Sequence, residues 1–263
     1  MNRLKLFLKP IPIKFNEQEH TYQNTDTNEF YTGVTTILNV KEKPFLKWWT
    51  AKEVVKFLAD KHQAIKDCTP DQYTALLDEA KKAHVKKSDQ AKDKGHIVHA
   101  WIEEYINSCT IPEVPEDEQI EKAIEQFLAW EKAHTVYWLA CELVVASITH
   151  KFAGTIDAVA AVDNKLALID FKTSSQISDD YFLQTAAYQI ALEEMGLSTI
   201  SQRMILRVPK DGSEFESMVV PTELDFDKEV FLHLRQVHRW NVNIENNYSH
   251  FLSKRSDKKS ITI

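Results

Sequence analysis

Hydrophobic side chains recur with helical spacing through the first half of the chain. Between residues 44 and 107, aromatic and aliphatic positions return every three or four residues, which predicts a series of helices, one of them starting at Thr69-Pro70. Residues 20–38 instead predict two short strands around a turn, followed by a helix capped by Thr35. The first half therefore predicts a hairpin and a helical elaboration.

The pattern changes after an acidic, proline-containing loop, "TIPEVPEDE". A helix at about 117–133 precedes residues 137–172, whose Val, Ile, Leu and Ala content predicts strands. Residues 178–196 return to helical spacing, two further strands surround a turn at Lys210-Asp211-Gly212, and a closing helix follows. This order predicts an α/β fold with a central mixed β-sheet flanked by helices.

We interpret the 263 residues as one domain, since 43% hydrophobic content is enough for a substantial buried interior. Residues 20–94 would form the N-terminal hairpin and helical elaboration, 95–222 the core and 223–250 the closing helix. Residues 251–263, with the charged sequence "SKRSDKKS", predict a flexible tail.

Composition narrows the class of function. Pro10 and Pro12 interrupt the N-terminal apolar stretch and no later run could span a bilayer, so we expect a soluble, cytoplasmic protein without a membrane partner. Cys68, Cys109 and Cys141 match no zinc or iron–sulfur spacing, so we expect no iron–sulfur cluster. With a net charge of −7, the protein would need a local basic patch or bound metal ions to hold a polyanion.

Two acidic residues face each other on a predicted hairpin. Asp163-Asn164 separates "KFAGTIDAVAAV" from "KLALIDFKT", and a two-residue turn there places Asp157 opposite Asp170. Opposed carboxylates among apolar neighbours are unstable unless they are protonated or neutralised. Mg²⁺ resolves the conflict because it prefers carboxylate, water and phosphate oxygens. Lys172 shares the face of Asp170 and would stand beside the cation, whereas solvated strand ends are the alternative interpretation of the acids.

The same residues resemble the signature of the PD-(D/E)XK nuclease superfamily. Asp157 would be its first acid, and Asp170-Phe171-Lys172, thirteen residues later, its D-x-K. Two further motifs are similar to those of the RecB- and Cas4-like branch, which includes phage-type and mitochondrial genome-maintenance exonucleases: GxxxH at residues 95–99 and QxxxY at residues 184–188. The resemblance covers about residues 20–220, most firmly 95–190, and implies a restriction-endonuclease-like core with a helical N-terminal elaboration.

The resemblance implies a metal-binding role for His99, Asp157 and Asp170, together with the backbone carbonyl of Phe171. Glu142, in the preceding predicted strand, is a further candidate for a second metal or for the surroundings of the first. A neutral imidazole would also suit Mn²⁺, so the expected cofactor is Mg²⁺ or Mn²⁺.

The other motif residues would serve the reaction itself. Lys172 would orient or deprotonate the attacking water, or stabilise the charge that develops on the phosphate. Gln184 and Tyr188 are i, i+4 neighbours on one helix face and would reach the phosphate or Lys172. Ordinary packing is the alternative for Gln184, Tyr188 and His99, and His96 is the competing histidine one turn away.

Substrate contacts have weaker signals. Lys86, Lys87, Lys92 and Lys94 precede the GxxxH motif and are candidate nucleic-acid contacts, with a solvated helix face as the alternative. The pair Trp48-Trp49 could stack on unpaired bases, but we interpret it as part of the core.

The resemblance implies a metal-dependent deoxyribonuclease, and we predict an exonuclease acting on DNA ends or single strands in recombination, repair or phage DNA processing. A structure-specific or restriction-like endonuclease is an alternative, as is a non-catalytic nucleic-acid-binding or assembly factor that retains the fold. The intact acids and lysine argue against the last. No GxxxxGK[ST] phosphate loop is present, so a helicase or recombination partner would be a separate chain in a bacterial or phage-infected cell.

Overall fold

The computed structural model describes residues 8–9, 11–108, 110–197, 200–221 and 226–256, so Cys109 and residues 257–263 of the predicted tail lie outside it. The strands are β1 (Ile13–Asn16), β2 (Thr21–Asn24), β3 (Phe30–Gly33), β4 (Val136–Ser147), β5 (Phe152–Val162), β6 (Lys165–Lys172), β7 (Gln202–Arg207) and β8 (Glu216–Pro221). The helices are α1 (Val34–Leu38), α2 (Pro44–Asp60), α3 (His62–Lys66), α4 (Pro70–Lys81), α5 (Ala83–Ser108), α6 (Glu118–Ala133), α7 (Asp179–Glu194) and α8 (Phe226–Ser256).

Three of the helices begin at capping residues that the sequence shows. Thr69 forms a capping box with Gln72 at the start of α4, Asp117 caps α6 and Ser178 caps α7. The prediction that Thr35 caps α1 is wrong, because β3 runs directly into the helix and Gly33 occupies the cap position without a side-chain hydrogen bond. Strand β1 was not predicted.

The sheet is mixed, as predicted. Its strands follow the order β1-β2-β3-β5-β6-β7-β8, with β4 also paired to β5. The pairs β3–β5 and β6–β7 are parallel, and the remaining pairs are antiparallel. Strand β3 belongs to the segment predicted as the N-terminal hairpin and helical elaboration. This segment therefore adds strands to the same sheet as the predicted core, residues 95–222.

Helices cover both faces of the sheet. On one face, Ile37 of α1, Ala187 of α7 and Phe231 of α8 pack with sheet residues such as Leu168. On the other face, α5 and α6 pack against the sheet through residues such as Ile102 and Phe127, which meet Ile169 and Leu206. The fold is therefore a three-layer arrangement that brings α5 and α7 to opposite sides of β5 and β6.

The predicted hairpin turn is confirmed. Asp163 and Asn164 both have left-handed backbone angles, with φ of 49° and 64°. The resulting register pairs Val162 with Lys165 and continues to Ala158 with Ile169. The candidate acids, Asp157 and Asp170, are the next residues along each strand.

Two long helices differ from the predicted segment boundaries. Helix α5 runs through the boundary expected between residues 94 and 95. Helix α8 continues to Ser256, with a break in helical geometry at Tyr248, so residues 251–256 are helical where the sequence predicts a flexible tail. None of the described helices has the length and apolar character needed to cross a membrane.

Candidate active site

The candidate site lies where strand β5 changes its neighbour. At one end of this edge β5 pairs with β3 through Phe152 and Ala153, and at the other end it pairs with β6 from Ala158 to Val162. Between these two ladders, β6 leaves β5 and continues beside β7. The sheet forks at this point, and residues 154–157 stand at the opening.

The two predicted acids occupy the arms of the fork. Asp157 lies just beyond the last β5–β6 pair, and its Oδ2 accepts a 2.7 Å hydrogen bond from the backbone N–H of Phe171. Asp170 has moved into the ladder with β7, opposite Ile205, and only 1% of its side chain is exposed. The β5–β6 pairing thus ends at Ala158 and Ile169. Beyond it, the hydrogen bond from the Phe171 N–H to Asp157 joins the two strands and keeps the acids close together.

Burial dominates the electrostatics of both acids. It raises the pKa of Asp157 despite the opposing effects of Lys172 and the Phe171 N–H. The pKa of Asp170 rises to about 6, because burial and the negative charge of Asp157 outweigh the stabilising charge of Lys172. Oδ1 of Asp170 has no hydrogen-bond partner among the described residues, and Oδ2 forms a 2.7 Å ion pair with Lys172 Nζ.

Lys172 is held between the acids and helix α7. Its Nζ lies 4.9 Å from the centre of the Tyr181 ring, which provides a cation–π contact. Burial by itself would lower the pKa of Lys172, but the carboxylates of Asp170 and Asp157 more than offset it, so the pKa is raised. The side chain is therefore an ammonium at neutral pH.

His99 approaches from α5, on the other side of the fork. Its ring meets Phe171 edge-on at a centroid distance of 6.4 Å. Burial, and then the nearby charge of Lys172, lowers the pKa of His99 to about 4, so the imidazole is neutral at physiological pH. His96, the competing histidine, is exposed one turn earlier.

A cavity of about 520 Å³ lies between α5 and the sheet at this place. Its lining combines both histidines with acidic, hydroxyl and cationic groups: Lys92, Gly95, His96, His99, Ala100, Glu103, Glu142, Thr173 and Lys210. His99 and Glu142 thus line this cavity, whereas Asp157, Asp170 and Lys172 are not among its lining residues.

Glu142 contributes a strained position to the same cavity. It lies on β4 between the pairs Cys141–Ala158 and Leu143–Ile156, and its φ of 48° is left-handed, which costs a non-glycine residue about 1–2 kcal/mol. Although the residue is accessible from the cavity, desolvation followed by the charges of Asp157 and Glu103 raises the pKa of Glu142 to about 8. The backbone thus places a third carboxyl group beside the first acid.

The QxxxY residues, Gln184 and Tyr188, are buried on α7 near the two acids. Gln184 Nε2 donates a 2.9 Å hydrogen bond to Tyr188 Oη, and both side chains are buried. Burial, followed by the charges of Asp170 and Asp157, raises the pKa of Tyr188 well above its ordinary value. The Tyr188 ring lies against Gly154, where an added Cβ would come within 2.5 Å of Cε1. The glycine before Asp157 is therefore the residue that lets Tyr188 approach.

The donor groups suit a hard divalent cation, although they do not form a complete ligand cage. No three His, Cys, Asp or Glu side chains group as a metal-binding set in the part of the chain that the structure describes. However, Asp170 offers a buried oxygen without a partner, the neighbouring carboxyls have raised pKa values, and His99 is neutral. Excess negative charge with oxygen donors is the environment that Mg²⁺ or Mn²⁺ would relieve.

The four predicted DNA-binding lysines differ in their surroundings. Lys87 forms a 2.7 Å ion pair with Glu53, and Lys94 forms one of 2.7 Å with Asp117. Lys92 is exposed, 3.4 Å from Asp89, and lines the cavity; Lys86 is exposed. Of the four, Lys92 is the one that lies at the cavity.

Two residues near the site, Tyr181 beside Lys172 and Lys210 in the cavity wall, were not predicted from the sequence, and one tryptophan was predicted wrongly. Tyr181 lies three residues before Gln184 and seven before Tyr188, so all three share one face of the helix. This spacing could have indicated that Tyr181 lies near the site. Lys210 had been assigned only to a turn. The prediction that Trp48 belongs to the core is wrong: 79% of it is exposed, because α2 buries little of its own surface.

The chain was compared with protein families, curated proteins and solved structures. The family model of the PD-(D/E)XK nuclease superfamily matches residues 116–250. No curated protein matches the chain. Similar solved structures include SSO0001, 13% identical, with a TM-score of 0.30 and coverage of 78% of this chain and 72% of that chain. They also include the alkaline exonuclease LHK-Exo from Laribacter hongkongensis, 14% identical, with a TM-score of 0.31 and coverage of 62% and 85%.

The family match includes the two acids, the lysine of D-x-K and both residues of QxxxY. It also extends over more than half of the chain. This chain therefore belongs to the PD-(D/E)XK nuclease superfamily.

Proposed function

We propose that the protein is a divalent-metal-dependent deoxyribonuclease that hydrolyses phosphodiester bonds as an exonuclease on DNA ends or single strands. The observation that carries this proposal is the buried Asp170 carboxylate, which lies beside Asp157 and Lys172 at the fork with one oxygen unpartnered. A buried charge of this kind is unfavourable in a purely structural role. It is useful where a cation and a phosphate must be bound.

His99, Asp157, Asp170 and the carbonyl oxygen of Phe171 are the groups that would hold Mg²⁺ or Mn²⁺, with Glu142 beside them. The carboxylates supply the oxygen donors that Mg²⁺ prefers, and the neutral imidazole of His99 also suits Mn²⁺. When bound, the cation supplies a Lewis acid that polarises the phosphate and makes water more acidic.

Lys172 acts as a charged group in this proposal. Because the charges of Asp170 and Asp157 raise its pKa in the metal-free protein, Lys172 is an ammonium there. An ammonium can orient the attacking water by donating a hydrogen bond, and can stabilise negative charge on the phosphate. The Tyr181 ring restrains the Lys172 side chain through the cation–π contact. The hydrogen-bonded pair Gln184 and Tyr188 lies near the two acids.

The surface beside Lys172 favours unpaired DNA. A second cleft, of about 540 Å³, lies between Tyr181 and the start of α2, where Phe45 and Leu46 form part of its lining. Phe45 is 64% exposed, and Trp48 follows it one helical turn later. Exposed aromatic rings stack on unpaired bases, so these residues support a single-stranded substrate or a frayed end. Such an activity fits recombination, repair or phage DNA processing in the cytoplasm, with any helicase supplied by another chain.

The test is digestion of DNA labelled at the 5′ or the 3′ end, offered as single strands, as linear duplexes and as closed circles with Mg²⁺. We expect the linear substrates to lose nucleotides from an end, the circles to survive, and a chelator to stop the reaction. Lys172→Ala, purified in parallel, controls for contaminating nucleases. Cutting of closed circles would instead favour an endonuclease, and stable binding without cleavage of any substrate would favour an assembly factor.

A further inference from the structure

Lys210 is a half-buried cation in the wall of the cavity that the proposed mechanism does not use. It lies in the loop between β7 and β8 and lines the cavity together with His99, Gly95 and Thr173. Thr173 directly follows Lys172 in the chain. Lys210 therefore faces the space next to the reacting groups from a different element.

The charge of Lys210 is poorly compensated within the protein. Lys172, Lys87 and Lys94 each have a carboxylate oxygen at 2.7 Å, whereas no carboxylate of the described residues forms an ion pair with Lys210. Its hydrogen bond is to Thr173 Oγ1, at 3.4 Å. Burial lowers the pKa of Lys210, and the charge of Asp211 only partly opposes this effect. An anion in the cavity would supply the missing compensation.

The glycine of the GxxxH motif explains how these two groups are positioned. A Cβ on Gly95 would lie 2.6 Å from Thr173 Oγ1 and 3.1 Å from Lys210 Nζ. A side chain at residue 95 would crowd Thr173 Oγ1 most closely, so the glycine lets helix α5 approach this group. His99, one turn later on the same helix, also lines the cavity.

The loop that carries Lys210 is held in place by groups outside the cavity. Lys122 Nζ of α6 donates a 2.7 Å hydrogen bond to the Gly212 carbonyl, and Arg207 Nη1 donates one of 3.1 Å to Ser213 Oγ. Asp211 Oδ1 accepts hydrogen bonds from the backbone N–H and the hydroxyl of Ser213. A restrained loop of this kind loses little entropy when its lysine binds a ligand.

We propose that Lys210 Nζ and Thr173 Oγ1 form a phosphate-binding subsite, which takes a non-bridging oxygen of the DNA phosphate adjacent to the one that is cleaved. The subsite rests on the proposed function, since it assumes that DNA occupies the cavity. Its ammonium and hydroxyl groups both donate hydrogen bonds to phosphate oxygens, and they contact the backbone without reading the base sequence.

The test measures binding of fluorescent single-stranded oligonucleotides in EDTA, so that nothing is cleaved. One phosphate at a time is replaced by a neutral methylphosphonate, for wild type, Lys210→Ala, Lys210→Arg and the control Lys165→Ala. We expect one linkage at which the neutral group weakens wild-type binding by roughly tenfold. Lys210→Ala should lose this penalty at that linkage alone, and Lys210→Arg should keep most of it.

The salt dependence gives an independent readout. Removing one phosphate contact should reduce the slope of log affinity against log salt by about 0.7 for single-stranded DNA. Lys165→Ala should leave the slope unchanged, because Lys165 is exposed beside the hairpin turn, at the opposite end of β6 from Lys172, and does not line the cavity.

Several results would overturn the subsite. One is a penalty of the same size at every linkage in both wild type and Lys210→Ala. Another is that Lys165→Ala loses the penalty as fully as Lys210→Ala does. The third is that wild type binds no oligonucleotide. Cleavage is measured separately with Mg²⁺. A wild type that shows the Lys210-dependent linkage but cleaves nothing would overturn the proposed nuclease activity and leave the phosphate subsite standing.

Discussion

Asp170 opposes folding when it is ionised without a cation. Its pKa is about 6 in the folded protein, against an ordinary value of 3.8, so the folded state holds the proton more tightly than the unfolded chain. Stability therefore falls as pH rises from about 4 to 6 and stays reduced above that range. The same sign applies to Asp157, whose pKa is also raised by burial.

Replacing this carboxyl group should stabilise the metal-free protein. In EDTA at pH 8, we expect Asp170→Asn to raise the free energy of unfolding, since burial raises the pKa of Asp170 to about 6 and the amide leaves no charge to bury. The difference should vanish near pH 4, where wild-type Asp170 is protonated. Urea denaturation at the two pH values measures it.

Asp163 is the matched control because its pKa is lowered in the folded protein, whereas that of Asp170 is raised. Hydrogen bonds from His134 and from the Thr135 N–H lower its pKa, so Asp163→Asn should reduce stability at pH 7 and have less effect in acid. Added Mg²⁺ should raise the melting temperature of wild type and not that of Asp170→Asn. A destabilised Asp170→Asn at pH 8 in EDTA would contradict this account of the site.

At the scale of the elements, two sequence motifs meet at one close contact. Gly154, in the strand that carries Asp157, has the Tyr188 ring of α7 against it. The separation leaves no room for even one methyl group, since a Cβ would lie 2.5 Å from Cε1. The spacing between the sheet and α7 is therefore set by a glycine and a tyrosine from different motifs.

Gly154→Ala should destabilise the protein by about 1–3 kcal/mol, because the ring must shift to admit the methyl group. In a Tyr188→Ala background, the same change should cost less than about 0.5 kcal/mol, so the double-mutant cycle should show coupling. Gly33→Ala is the control, since its nearest contact would be an ordinary 3.4 Å. Additive effects of the two substitutions would show that the contact does not set this spacing.

Local signals in the sequence predicted much of the hairpin and its surroundings. The Asp163-Asn164 turn is predictable because few residues tolerate left-handed angles, and the turn then determines the register of β5 and β6. The caps of α4, α6 and α7 are also predictable, because each capping side chain bonds to the backbone of its own helix.

Features that depend on distant partners were not predictable. The left-handed backbone of Glu142 arises within the β4–β5 pairing, and nothing in "ACELVV" indicates it. The position of Lys210 depends on how closely α5 approaches the loop after β7, a distance that no local pattern encodes. Trp48 was misjudged because an aromatic residue in an apolar helix usually packs inward, whereas α2 has little core to pack against.

For the whole molecule, the charge balance requires local DNA contacts. A net charge of −7 repels a polyanion at long range, so the proposed DNA binding would rely on the cavity cations, bound metal and stacking. The exposed aromatic residues at the start of α2 adjoin the cleft beside Tyr181. They offer a contribution to affinity that does not depend on charge.

Trp48→Ala should weaken single-stranded DNA binding by about 1–3 kcal/mol if a base stacks on this ring. The loss should persist at high salt, because stacking releases no counterions. Trp240→Ala, which removes a tryptophan that is 62% exposed on α8, should leave binding unchanged. Equal losses in the two variants would show that the α2 surface is not the stacking site, and fluorescence anisotropy measures both.

The most direct test of the account is single-turnover cleavage of an end-labelled single-stranded oligonucleotide by excess protein in Mg²⁺. We predict that wild type hydrolyses it, that EDTA abolishes the reaction, and that Lys172→Ala and Asp170→Asn each lower the rate about 100-fold or more while remaining folded. Cleavage at the wild-type rate by either variant would contradict the assignment of the reaction to the forked sheet.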